Sequence, residues 1–190
     1  MGLFFNKGAS GVWGNEYSPV IDSYSKTMRL TLGAALGSIA VVFQSAGVFT
    51  GIGFILSMMS TGPLVLASLL SLRLGVMTYF ATVFLLAMFQ PSEVLVFLFT
   101  TGLLGLSLGG ALKYIKRGIF IILFTSSCLT LGIVILLYGL KFPILGPSVT
   151  YHFNSMVIAG TFAFSLLYSW IWKKVSISAF NVLNQVLSRS

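Results

Sequence analysis

The sequence predicts an all-α fold, a polytopic membrane helix bundle of about six transmembrane helices with both ends in the cytoplasm. Three observations carry that prediction. Hydrophobic residues make up 57% of the chain and charged residues 7%, where an ordinary soluble domain has about 25% charged, and the mean hydropathy is +1.01. Between Arg29 and Lys173 the apolar runs have roughly the 20-residue length that one crossing needs, which leaves no room for a soluble domain. Counted as six crossings, these runs put ten of the eleven Lys and Arg residues on one side. They are Lys7, Lys26, Arg29, Arg73, Lys113, Lys116, Arg117, Lys173, Lys174 and Arg189, with Lys141 left for the other side. The positive-inside rule makes the basic side cytoplasmic. Merging or deleting one crossing would send either the 113–117 cluster or the Lys173-Lys174 pair outside.

Residues 1–28 read as a cytoplasmic segment, 29–174 as the six-span domain and 175–190 as a cytoplasmic tail. The segment before Leu30 has no basic stretch followed by an uninterrupted apolar core, so it does not resemble a cleavable signal. The first span, 30–48, carries Gly33 and Gly37, with Ala34 and Ser38 beside them. Small residues four apart make a groove that lets a second helix approach closely, so these four are candidates for packing against a partner helix. The second span, 52–72, contains Gly62-Pro63, where the missing amide predicts a kink or break. The third, 75–89, is short and ends at Gln90-Pro91-Ser92-Glu93. The fourth, 94–112, is lined with Gly102, Gly105, Gly109 and Gly110, again a surface fit for close packing. The fifth, 119–140, leads into the longest loop on the side away from the basic residues. The sixth, 155–172, finishes with Tyr168, Trp170 and Trp172 as an interfacial aromatic belt. Beyond it Phe180, Leu183 and Leu187 stand at helical spacing, compatible with an amphipathic helix on the membrane surface or with a frayed tail.

Composition excludes several functions. With no acidic residue inside a span, a pump driven by its own carboxylate has no proton or cation relay. One histidine and one cysteine supply neither a multi-His metal site nor a disulfide, and no nucleophile and base stand together, so no enzyme, cofactor or metal is expected. A channel would need a ring of charge or a filter of carbonyls. The net charge of +8 sits at helix ends, where it serves lipid headgroups and topology, not nucleic acid. What does gather is a set of polar residues on the side away from the basic clusters: Gln44, Gln90, Glu93, Lys141, Tyr151, His152 and Asn154. Converging around an apolar cup, they would have the makeup of a small-molecule site. Taken singly, each reads better as a loop residue facing water or headgroups, with Glu93 serving to cap a helix.

The small-residue first helix TLGAALGSIA, the proline-containing STGPLVLASLLSLRLG, the six spans and the two inside ends resemble the S components of energy-coupling factor (ECF) transporters and related bacterial membrane families. The likeness spans residues 28–174. It implies a substrate-binding subunit of the cell membrane that captures a small solute such as a vitamin from outside and works with a transmembrane coupling subunit and its ATPases. In that family an A-x-x-x-A pattern on the first helix docks on the coupling subunit; the matching positions are Ala34 and Ser38, with serine in place of the second alanine. The rival expectation is a membrane scaffold or regulator that binds another membrane protein through its glycine-rich faces.

Overall fold

The computed structural model describes residues 25–48, 52–142 and 154–187, and the side chains of residues 52 and 180–187 are set aside. Among the described residues, six helical rods are long and apolar enough to cross a membrane, so the chain is an integral membrane protein with a helical-bundle fold.

The first rod is α1 (Lys26–Ser45), capped by Ser25, whose hydroxyl accepts the Met28 amide at 3.2 Å, and extended by a 3-10 turn at Ala46–Val48. The second consists of α2 (Ile52–Met59) and α3 (Thr61–Leu70), interrupted at Ser60. The break therefore falls before Gly62-Pro63, and Pro63 occupies the first turn of α3. There its missing amide costs no bond, because the first four amides of a helix have no intrahelical partner. The third rod is α4 (Leu72–Phe89); it starts three residues before the expected boundary, so it is not a short crossing. The fourth, expected to be continuous, is also broken: α5 (Pro91–Phe99) stops at Thr100 and α6 (Thr101–Tyr114) resumes. The fifth is α7 (Gly118–Val134), closed by a π-helical turn at Ile135–Gly139. Lys141 then takes a left-handed φ of 53°, which reverses the chain so that the Phe142 amide donates back to the Leu136 carbonyl at 2.9 Å. The sixth is α8 (Ser155–Leu187), which runs through Lys173-Lys174 without interruption. The helix of the sixth span thus continues into the residues read as the tail.

The centre of the bundle is the pair α3 and α6, which share the broadest helix contact. Their backbones approach because Gly105 and Gly109 lack side chains: a Cβ on Gly105 would stand 2.5 Å from Leu64 Cβ and 3.0 Å from the Thr61 carbonyl, and one on Gly109 would meet Ser68 and the Val65 carbonyl. Leu64, Leu104 and Leu108 are fully buried there. In the first span, Gly33 and Gly37 do form a close-packing face, but α4 of the same chain fills it. Thr78 and Thr82 donate their hydroxyls to the Gly33 and Gly37 carbonyls at 3.3 and 3.5 Å. Of the four residues read as a surface for a partner helix, only Ala34 and Ser38 are exposed. The outward surface is apolar, with Phe80, Phe84 and Phe89 all more than 60% exposed, which suits lipid as the solvent.

Alternation of six rods places eight of the nine described Lys and Arg residues at one end, which we call the basic end, and Lys141 at the far end. The basic end is tied together where Lys173 Nζ donates to the Gly118 carbonyl at 3.2 Å. The expected aromatic belt is reduced to Trp170, which is exposed and carries Lys174 Nζ 3.8 Å from its ring. Trp172 is buried in the core, and Tyr168 turns inward.

Candidate functional site

The two helix breaks, at Ser60 and Thr100, meet at one buried side chain. Gln44, on the last turn of α1, is fully buried. Its Oε1 accepts the Ser60 and Thr101 hydroxyls, both at 2.8 Å, and its Nε2 donates to Glu93 Oε2 at 2.8 Å. One amide thus ties together the first span, both broken spans and a carboxyl group. Both of its polar atoms are engaged, as a polar group inside a membrane bundle requires. The reason for the local geometry is visible in the residues. Each break carries a hydroxyl residue, then Thr, then Gly (Ser60-Thr61-Gly62 and Thr100-Thr101-Gly102), and hydroxyl side chains offer a backbone alternative to the helical ladder.

Interrupting a helix at membrane depth frees carbonyls, and neighbouring side chains take them up. Tyr79 donates to the Leu98 carbonyl at 2.7 Å and Tyr168 to the Met58 carbonyl at 3.2 Å, while Thr61 joins the two breaks by donating to the Thr101 carbonyl at 3.3 Å. Three neighbouring hydroxyls thus hold open a geometry that lipid alone would not tolerate.

Above the breaks, toward the far end, the halves α2 and α5 separate, and a cavity of about 890 Å³ lies between them and the ends of α7 and α8. Gly47, Ser92 and Glu93 line it, with Phe54, Ser57 and Met58 from α2. Val96, Thr100 and Thr101 come from the fourth span and Leu129, Ile133 and Phe142 from the fifth. Val157, Gly160, Thr161, Phe164 and Tyr168 complete it from the sixth. The walls are mainly apolar with a few placed polar groups, and the volume is within the range of about 300–1,000 Å³ typical of small-molecule pockets. Among the described residues no group of three or more His, Cys, Asp or Glu side chains could hold a metal ion.

Of the seven polar residues expected to converge, two do so. Glu93 lines the cavity and Gln44 holds it from behind. Gln90, Lys141 and Asn154 are not brought together with them: none is among the described residues that line this cavity. Gln90 donates to Ser92 Oγ at 3.1 Å beside the Pro91 helix start, Lys141 is an exposed chain-reversal residue, and Asn154 caps the sixth span by accepting the Met156 amide on Oδ1 at 2.9 Å. Tyr151 and His152 lie outside the described residues. The cavity also recruits Ser57, Thr100, Thr101, Thr161 and Tyr168, which sequence reasoning did not assign to a site. The repeated hydroxyl-Thr-Gly triplet was the signal that could have found the two breaks.

Comparison of the chain with protein-family models, with curated proteins and with solved structures gives no match.

Proposed function

We propose that this chain is a substrate-capture membrane subunit: it binds a small solute in the cavity beside Glu93, carries out no chemistry, and relies on a coupling subunit with ATPases to drive transport. The observation that supports this reading most is the cavity itself, because a bundle meant only to scaffold has no reason to hold two spans broken and a carboxyl group positioned at the wall of an 890 Å³ space. The likeness of the sequence to ECF S components supplies the coupling partner, with exposed Ala34 and Ser38 as its landing strip. The positive-inside rule puts the basic end in the cytoplasm and the cavity toward the exterior. The scaffold alternative loses ground, because the glycine faces it would use, at Gly33, Gly37, Gly105 and Gly109, are filled within the chain.

The test is a thermal-shift screen of small solutes on purified protein, with Gly160→Leu as the control. Gly160 lines the cavity and a Cβ there meets nothing within 4 Å, so a side chain at this position starts into open space and competes with a solute for it. A captured solute raises the Tm of the wild type by mass action and not that of the variant. A screen in which no solute shifts the wild type, or in which every shift survives in Gly160→Leu, removes the basis for capture. Topology is checked separately: a cysteine replacing Lys116 reacts with an impermeant reagent only after the cells are opened, and labelling in intact cells reverses the assignment.

A further inference from the structure

Resting on the capture reading, we infer that the cavity selects an organic cation, a protonated amine or quaternary ammonium carried on an apolar body. The argument is a one-sidedness in the hydrogen bonding of the wall. Glu93 is the sole acidic residue after Asp22 in the sequence, and it lines the cavity with no Lys, Arg or His among the described lining residues. The donors nearby are already committed to the protein. Thr100 donates to the Val96 carbonyl, Thr101 to Gln44 Oε1, Thr161 to the Val157 carbonyl and Tyr168 to the Met58 carbonyl. Gln44 Nε2 donates to Glu93 itself. A hydroxyl whose proton is fixed has only lone pairs left to offer, and a carboxylate has about four acceptor sites, of which Gln44 occupies one. Among the described lining residues, Ser57 and Ser92 alone keep hydroxyl protons uncommitted. The described side chains of the wall are therefore rich in acceptors and poor in donors, with one carboxyl group among them and no basic group, and an anionic or acceptor-only headgroup finds few side-chain partners there.

The body of the ligand follows from the rest of the wall. Phe54, Phe142 and Phe164 present aromatic rings, and Val96, Leu129 and Ile133 present aliphatic surface. Such walls bury a hydrocarbon or ring system, and aromatic faces also attract cations. They are unsuited to a bare metal ion, which requires a shell of about six oxygen ligands. No cluster of metal-ligating side chains is present among the described residues.

The experiment uses three probes sharing one body: 4-phenylbutylamine, 4-phenylbutanol and 4-phenylbutanoate. Their affinities are measured by calorimetry on the full chain in phosphatidylcholine nanodiscs, so that no anionic lipid draws the amine. The amine is expected to bind at least tenfold tighter than the alcohol, with the carboxylate not detectably bound. Glu93→Gln should bring the amine down to the level of the alcohol while changing the alcohol less than twofold, and Gly160→Leu should abolish binding of all. If Glu93→Gln does not fold, the wild-type ranking together with Gly160→Leu decides. Equal or tighter binding of the alcohol or the carboxylate overturns cation selection while leaving capture intact. Amine binding that persists in Gly160→Leu reports partition into lipid and also overturns it. If none of the three binds, cation selection is wrong, and capture is judged on the broader solute screen.

Discussion

The second and fourth spans each have two halves, and the halves behave differently. Toward the basic end α3 and α6 are pressed together at Gly105 and Gly109, so closely that a single Cβ would strike the opposite backbone. Toward the far end α2 and α5 make little contact with each other and leave a cavity. The same pair of spans thus serves as a rigid clamp below and a pair of splayed walls above, and the breaks at Ser60 and Thr100 are what permit the change. A continuous helix fixes the direction of its whole length, so two rods in contact at one end and apart at the other would have to bend gradually. Interrupting both at one level lets the lower halves keep interior packing density while the upper halves diverge.

The largest expected effect comes from crowding the clamp. Gly109 on α6 faces α3, and a Cβ there would stand 2.4 Å from Ser68 Cβ and 3.0 Å from the Val65 carbonyl. Gly109→Ala and Gly105→Leu should each cost about 3 kcal/mol, the upper part of the overpacking range, and yield little monodisperse protein on size-exclusion chromatography. Gly160→Ala in the splayed region should move thermal stability by less than about 0.5 kcal/mol. Comparable losses at all three positions would erase the distinction between clamp and walls. Next in size is the joint between the regions. Gln44→Leu strands the Glu93 carboxyl and two buried hydroxyls, at a cost of about 3 kcal/mol in thermal or denaturant unfolding, whereas a change below about 0.5 kcal/mol would mean that Gln44 does not join the breaks. Tyr79→Phe removes the donor that occupies the Leu98 carbonyl and should lower stability by about 1 kcal/mol; an unchanged melting curve would show that the break needs no such support. The smallest effect concerns Ser165 and Ser169 on α8, both buried without a hydrogen-bond partner among the described residues. Ser165→Ala and Ser169→Ala should be neutral or stabilising by up to about 1 kcal/mol. Destabilisation in either would reveal a bridging water and sharpen the account of how the sixth span closes the cavity.

The number of spans was legible because it rests on the least ambiguous signal in the chain, long apolar runs bounded by Lys and Arg. The close-packing glycines were legible too, though not which helix fills them. Spacing on one helix states that a neighbour can approach and is silent on whether that neighbour is Thr78 of the same chain or another protein. The break at Thr100 was missed because hydropathy averages over a window and Thr100-Thr101 scarcely lowers it, while proline drew attention to Gly62-Pro63 in a span that breaks at Ser60. Gln44 and Glu93 were picked out as polar residues near span ends, but their direct bond depends on α1 lying beside α5, a three-dimensional fact no local pattern encodes. Gln90, Lys141 and Asn154 share the position of Gln44 and Glu93 near span ends without sharing the cavity, because polar residues at helix ends are needed for capping and chain reversal regardless of any ligand; Asn154 caps the sixth span and Lys141 sits at the chain reversal.

The uninterrupted sixth helix has a mechanical consequence. At 33 residues it is about 50 Å long, well beyond the roughly 30 Å of a hydrocarbon core, and it contributes Phe164 and Tyr168 to the cavity before passing Lys173. Where the second and fourth rods are interrupted, this one is a single lever: if a solute at Phe164 tilts it, the far part beyond Lys173 should move with it, and spin labels at Ser155 and Ser178 would register a coordinated change in distance to α3. Occupancy on one side of the bilayer would then be legible on the other without any signal passing through the interior.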